Sequence, residues 1–184
     1  MKIIFLGDSI ATQQTGIHYY GQQLVQSALE QYPDNQYAIV LPEADGSLGM
    51  EEILVPLKGR GAWYLRYRQL VTIPKILRKL KPDMVVELAH FGPFSLPSDI
   101  KRVTVIHDLT PLLFPEFHSL LSAWMHRLLL PQIIKRADYL LVNSLHTGKD
   151  LMIAVKALAA NFALFHCLAQ QTTRIIQMFA VTEL

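Results

Sequence analysis

Short apolar runs, each closed by glycine, proline or a polar pair, alternate along the chain with longer stretches whose apolar residues recur at helical spacing. Residues 3–6, 37–41, 53–57, 84–88, 103–106 and 139–142 read as strands. Between the first two, Ile17, Tyr20, Leu24, Val25, Ala28, Leu29 and Tyr32 fall on one helical face, and Pro33-Asp34-Asn35 ends that helix. Residues 63–80 read as a helix bent at Pro74, and 117–135 as one broken at Pro131. A further helix opens at Asn143 or Ser144. Strands alternating with helices predict an α/β fold: a three-layer, Rossmann-like domain with a mostly parallel sheet, right-handed crossovers and helices on both faces. We place this domain at residues 1–153.

The stretch 154–184 differs. Its only charged residues are Lys156, Arg174 and Glu183, helix formers dominate, and no strand-plus-turn signal follows. It is expected to form a helical tail packed back on the sheet. The charge-free run 157–173 is too short, and too interrupted by Asn161, His166, Gln170 and Gln171, for a membrane span. No secretory signal is expected either, because the apolar run after Lys2 ends at Gly7-Asp8 after four residues.

The strand at 103–106 is a β-branched apolar run ending in His107-Asp108, with Pro111 beyond. In an open parallel sheet, ligands bind in the crevice outside the carboxyl ends of the strands. Gly7-Asp8, His90, His107-Asp108 and Asn143-Ser144 all stand at such ends and are expected to converge there. His107 titrates near neutral pH, so it can donate, accept or stabilise charge. Asp108 can orient it, although neighbours on a strand point opposite ways. The alternative for His107 and His90 is a strand-end histidine bonded to backbone. Thr15-Gly16 opens the first helix, whose N–H groups favour an anion such as a phosphate; the alternative is an ordinary capped helix start. Ser144 reads as a helix cap able to share its position with a ligand hydroxyl or phosphate. No metal site is expected: His90 and His107 lack a third ligand at a telling spacing. There is no Gly-x-Ser-x-Gly elbow, and the single Cys167 has no activating neighbours, which disfavours hydrolase chemistry.

Composition sharpens this reading at two points. Apolar residues make up 51% and charged residues 17% of the 184, as expected of a globular chain, and the net charge of +2 gives no warrant for nucleic acid as a partner. Between Lys58 and Lys81, however, eight basic residues occur with no acid, and Trp63, Tyr64 and Tyr67 are interleaved. This predicts a basic face able to touch anionic lipid through Arg66, Arg68, Arg78 and Lys79, or else a solvated basic face.

Three segments together carry a resemblance. Thr15-Gly16-Ile17-His18-Tyr19-Tyr20 with Leu24 is one. Ile106-His107-Asp108-Leu109-Thr110-Pro111 with Phe114-Pro115-Glu116 is the second. Arg136-Ala137-Asp138-Tyr139-Leu140-Leu141-Val142-Asn143-Ser144, with Thr147 and Asp150-Leu151, is the third. Their order and spacing resemble the N-terminal domain of the family-four glycosyltransferases, which are built from two Rossmann-like domains in the GT-B architecture.

That resemblance implies transfer of a hexose, of mannose or glucose type, from a nucleotide-diphosphate sugar to a glycan or lipid-linked acceptor, as in polysaccharide assembly. It implies retention of anomeric configuration, no obligatory metal and no cofactor beyond the donor itself. It also implies that Thr15 and Gly16 face the donor diphosphate, that His107 sits by the reacting sugar, and that the enzyme works in the cytoplasm, with peripheral attachment to the inner face of the membrane. His18 departs from the family pattern, which has a small residue there. After about residue 153 the pattern ceases, and nothing matches the family's paired-glutamate segment. A truncated or frameshifted reading frame is therefore expected, with little or no activity for the isolated chain. A separate donor-binding chain is the alternative source of the missing half. The reading from another class is a non-catalytic membrane- or partner-docking module. A dinucleotide-dependent oxidoreductase is disfavoured by the absent glycine fingerprint.

Overall fold

The stretch Lys2–Leu6 folds as its apolar pattern requires, into a strand whose last three residues are buried on both faces. The structure is a computed structural model, and it describes residues 1–12, 15–57, 64, 67–91, 95–161 and 175–177. Two units result, Met1–Val103 and Thr104–Leu184. The first holds β1 (Lys2–Leu6), α1 (Asp8–Thr12), α2 (Gly16–Gln31), β2 (Gln36–Leu41), β3 (Glu51–Leu54), a π-helical segment (Arg68–Thr72), α3 (Ile73–Leu80) and β4 (Met84–Glu87). Its strands lie in the order β3-β2-β1-β4, and every pair is parallel, with Leu6 opposite both Val40 and Glu87 and Leu41 opposite Leu54. The division falls inside β5 (Lys101–Ile106). The second unit continues with α4 (Thr110–Leu113), a 3-10 turn (Pro115–Phe117), α5 (Leu120–Arg136), β6 (Tyr139–Val142), α6 (Leu145–Asn161) and β7 (Ile175–Gln177). Its strand order is β5-β6-β7, and β6 and β7 run parallel. Parallel strands separated by helices make this the α/β, Rossmann-like fold expected from the sequence.

Burial explains the unbroken apolar runs. In the first unit, Ile4, Leu6, Ala38, Val40 and Val85 form one core with Ile73 and Leu77 of α3. The neighbouring positions Phe5 and Ile39 are also buried, and α2 contributes Leu24 and Val25. A strand covered on both faces has no polar side to show, so it reads as a continuous run. The helices end on recognisable devices. Lys81 takes a left-handed conformation (φ 46°) and its N–H bonds the Leu77 carbonyl at 2.9 Å, with Pro82 next.

Several elements depart from the sequence reading, each for a local reason. Residues 8–12, for which the sequence pattern gave no element, form α1, because the Gly7 carbonyl accepts the N–H groups of Ile10 (2.9 Å) and Ala11 (3.2 Å). β3 begins earlier than expected, since its pairing with Ala38–Leu41 fixes its register at 51–54 and Pro56 cannot join a ladder. The bend expected at Pro74 is a π-helical segment. The Ile73 N–H reaches back five residues to the Arg68 carbonyl. Pro74 then has no N–H to offer Leu70, and the wider turn accommodates its ring. The α5 helix starts at Leu120 rather than Phe117, where Ser119 Oγ accepts the Ser122 N–H at 3.2 Å, and it runs through Pro131 without ending. The tail, expected to be helical, carries α6 as far as Asn161 and then the short strand β7 beside β6.

Gly7 is required by space. A Cβ there would stand 2.6–2.8 Å from side-chain atoms of Ile39 and Leu41, both fully buried. A Cβ on Gly16 would meet nothing within 4 Å. Urea unfolding is therefore expected to show Gly7→Ala less stable by about 1–3 kcal/mol. Gly16→Ala should be neutral, or more stable by up to about 1 kcal/mol. Equal effects at the two glycines would contradict this packing.

Candidate functional site

Parallel pairing of β1 and β4 brings Gly7-Asp8 and Ala89-His90 to the same edge of the first unit. Arg68 reaches that edge from the π-helical segment. Its side chain has no exposed surface, its Nη1 pairs with Asp8 Oδ2, and its Nε donates to the Val55 carbonyl at 2.7 Å. The expectation that Arg68 belongs to a membrane-facing basic surface is therefore corrected. A charge run in sequence does not reveal that one member turns inward, and the π turn is what turns it. Arg78 and Lys79 are exposed on α3, with Arg78 Nη2 donating to the Ser95 carbonyl (2.8 Å) and Oγ (2.6 Å). Arg66 lies outside the described residues.

Next to Asp8 lies a carboxyl group that sequence reading missed. Glu87 closes β4 and is 5% exposed, and Arg102 of β5 is 3% exposed. Burial pushes the Glu87 carboxyl up to about 7. The Ala89 N–H (3.0 Å to Oε1) and the positive charge of Arg102 pull it down, and the negative charge of Asp8 pushes it up further. The available signal was a lone acid inside the apolar run Met84-Val85-Val86-Glu87-Leu88. His90, three residues on, is 9% exposed and sits at φ 65°, a left-handed conformation uncommon for histidine. Its ring meets Phe91 edge-on at 6.0 Å. Such backbone strain, about 1–3 kcal/mol, persists where the surroundings enforce it, commonly at binding edges.

Thr15 and Gly16, also in the first unit, are exposed at the start of α2. Thr15 occupies the cap position with extended backbone, but its side chain makes no capping bond, so the expected Thr15 cap is not formed. The first N–H groups of a 16-residue helix therefore open beside an exposed glycine. His18, where the family pattern has a small residue, donates from Nδ1 to the Ile10 carbonyl at 2.6 Å and so ties α2 to α1.

The second unit gathers its own group. His107 follows β5 and is 6% exposed. Its carbonyl lies 3.0 Å from Thr147 Oγ1, which also stands 3.2 Å from Asn143 Oδ1 and 2.9 Å from Ser144 Oγ. Ser144 Oγ accepts the Thr147 N–H at 3.1 Å, so Ser144 caps α6 as its position suggested. The capped end of α6 thereby holds the backbone of the strand-end histidine. Asp108 does something else: its Oδ1 accepts from Thr110 N (3.1 Å) and Thr110 Oγ1 (2.9 Å), which fixes the turn into α4. Among the described residues, no group of three His, Cys, Asp or Glu is placed to hold a metal ion. Nor is any helix among them long and apolar enough to cross a membrane.

Two outcomes follow from the buried charges. Arg68→Met removes the cation from the partly buried Asp8 carboxylate and the donor from the Val55 carbonyl, and should cost about 1–3 kcal/mol in chemical denaturation. The double substitution Arg78→Glu/Lys79→Glu, on an exposed face, should cost under about 1 kcal/mol. Glu87 binds its proton more tightly in the folded chain than at its ordinary value of 4.5. Its contribution to stability is thus full below that value and is lost as pH rises through about 7. Glu87→Gln should flatten the fall in thermal midpoint over that window. A parallel pH profile for both proteins would refute the assignment.

Compared by sequence with curated proteins, the chain finds no match. Among solved structures it is similar to the UDP-GlcNAc 2-epimerase from Methanocaldococcus jannaschii, with 16% identity and a TM-score of 0.53 over 84% of this chain. It is also similar to the lipopolysaccharide outer core galactosyltransferase WaaB in its apo form, with 14% identity and a TM-score of 0.52 over 83% of this chain. The matches cover 42% of each of those two proteins. At such identities they establish the shared fold. The family model described as Glycosyltransferase Family 4 matches residues 25–155, well over half of the sequence and inclusive of β4, His107 and the Ser144 cap. On that match the chain belongs to Glycosyltransferase Family 4.

Proposed function

We propose that these 184 residues supply the acceptor-side groups of a hexosyltransferase. The donor is a nucleotide-diphosphate sugar of mannose or glucose type, and the acceptor a glycan or lipid-linked glycan of polysaccharide assembly. The acceptor hydroxyl attacks the anomeric carbon, the nucleotide diphosphate leaves, and the configuration is retained. No metal is required. The single observation that carries this reading is the family match over residues 25–155. The geometry agrees with it at two places.

The first is His107. Its backbone is held through its carbonyl by Thr147, and the ring belongs to a residue at the carboxyl end of a parallel strand, where ligands of such sheets bind. In the proposed reaction the imidazole orients the transferred sugar and meets the charge that develops on it. The second is the uncapped, exposed start of α2 at Thr15-Gly16, whose N–H groups and helix dipole suit a diphosphate. His90 and Ser144 complete the proposed substrate contacts. Asp108 acts by fixing the turn that follows His107 rather than by touching the sugar.

The test is calorimetric and NMR titration of the chain with GDP-mannose and UDP-glucose, followed by transfer of radiolabelled hexose to a lipid-linked glycan. One of the two donors should perturb the amides of Gly16 and His107. The isolated chain is expected to form little or no labelled product, and His107→Gln should remove the donor-induced shift at that position, with an unchanged fold by circular dichroism. If neither donor perturbs those amides, the reading fails.

A further inference from the structure

The chain leaves β4 through a turn that histidine disfavours. The Phe91 N–H donates to the Ala89 carbonyl, two residues back, at 2.7 Å, and His90 between them stands at φ 65°. This is the rarer, strained form of γ-turn, in a region where glycine alone carries no steric cost. The edge-on contact of the His90 and Phe91 rings, at 6.0 Å, lies within the same turn. Relaxation of His90 to negative φ would release the strain, so the surroundings have to hold the backbone in place.

The Glu87 side chain is placed to do so. It stands on the last residue of β4, opposite Leu6 of β1, and is 5% exposed. Its Oε1 accepts the Ala89 N–H at 3.0 Å. Both backbone polar groups of Ala89 are thereby engaged, the N–H by Glu87 and the carbonyl by Phe91. A carboxylate makes such a bond roughly twice as strong as a neutral acceptor does. The charged groups around this carboxyl are Arg102 of β5 and Asp8 of α1, which is itself paired with Arg68 of the π-helical segment. The His90 ring is the other titrating group of the turn. Burial and Asp8 favour the neutral acid, while Arg102 and the Ala89 N–H favour the carboxylate, and the balance falls at about 7. The grip on Ala89 therefore strengthens as pH rises through neutrality.

We propose that Glu87 is a positioning residue: through the Ala89 N–H, its carboxyl holds the γ-turn that sets the backbone of His90 at the edge of the first unit. The inference rests on the reading in which His90 contacts the substrate, and it supplies the side chain that fixes that contact. Glu87 acts through His90 and not on the sugar.

The test begins with the full chain and no ligand, by NMR. The Ala89 amide proton should move downfield as pH rises through about 7. Glu87→Gln keeps an acceptor at the same place, so the turn should persist while this titration disappears. His90→Gly should retain it, which separates the carboxyl from the imidazole. Glu87→Ala removes the acceptor, and exchange of the Ala89 amide with solvent should quicken about tenfold or more. The change in thermal midpoint on His90→Gly should be more favourable beside Glu87 than in the Glu87→Ala background, where the turn can relax. With whichever of GDP-mannose and UDP-glucose binds, Glu87→Gln should keep the donor-induced shift at His90. Glu87→Ala should lose it and keep the shift at Gly16. The proposal is overturned if the Ala89 amide does not titrate, if it titrates alike in Glu87→Gln, or if His90→Gly moves the midpoint equally in both backgrounds. Should Glu87→Ala not fold, the titrations of Glu87→Gln and His90→Gly decide. Should neither donor shift any amide, the sugar-transfer reading fails, while the ligand-free measurements still settle the role of Glu87.

Discussion

A guanidinium with no exposed surface must be met by charge and by acceptors, and in this chain Arg68 is met by Asp8 and by the Val55 carbonyl. The first unit's candidate edge depends on that arrangement. Asp8 opens α1 directly after β1, and Val55 follows β3, so one side chain ties two strand ends to the π-helical segment that carries it. A buried pair of this kind is weak evidence for stability, because desolvation offsets most of its attraction. What it provides is geometry: a slip of one residue in the segment 68–72 would turn the guanidinium away from the partly buried Asp8 carboxylate. The same carboxylate then acts on Glu87, whose proton is retained toward neutral pH by burial first and by Asp8 in addition. Position at this edge is therefore set by one contact, and protonation chiefly by burial.

The strands were legible in the sequence because burial on both faces leaves nothing polar in the run, and Tyr139–Val142 matched residue for residue. The Ser144 cap was legible because a serine before a helical pattern has one strong local use. The elements missed are short. The five residues of α1 depend on acceptance by the Gly7 carbonyl, and the three residues of β7 on pairing with β6. Neither carries enough periodic signal to be read alone. Pro74 announced a disturbance correctly, but its form, a π turn, is a property of the hydrogen-bond ladder rather than of composition.

The site residues divide by the same logic. The place of His107 after β5 was legible because its strand is unmistakable and its end follows from strand length. Asp108, expected to serve the imidazole, is occupied by Thr110, as alternation along a strand would favour. Arg68 was misassigned because a count of cations between residues 58 and 81 contains no information about direction. Glu87 and Arg102 went unnoticed, although Glu87 is a lone charge in an apolar strand and a buried charge in such a run requires a partner.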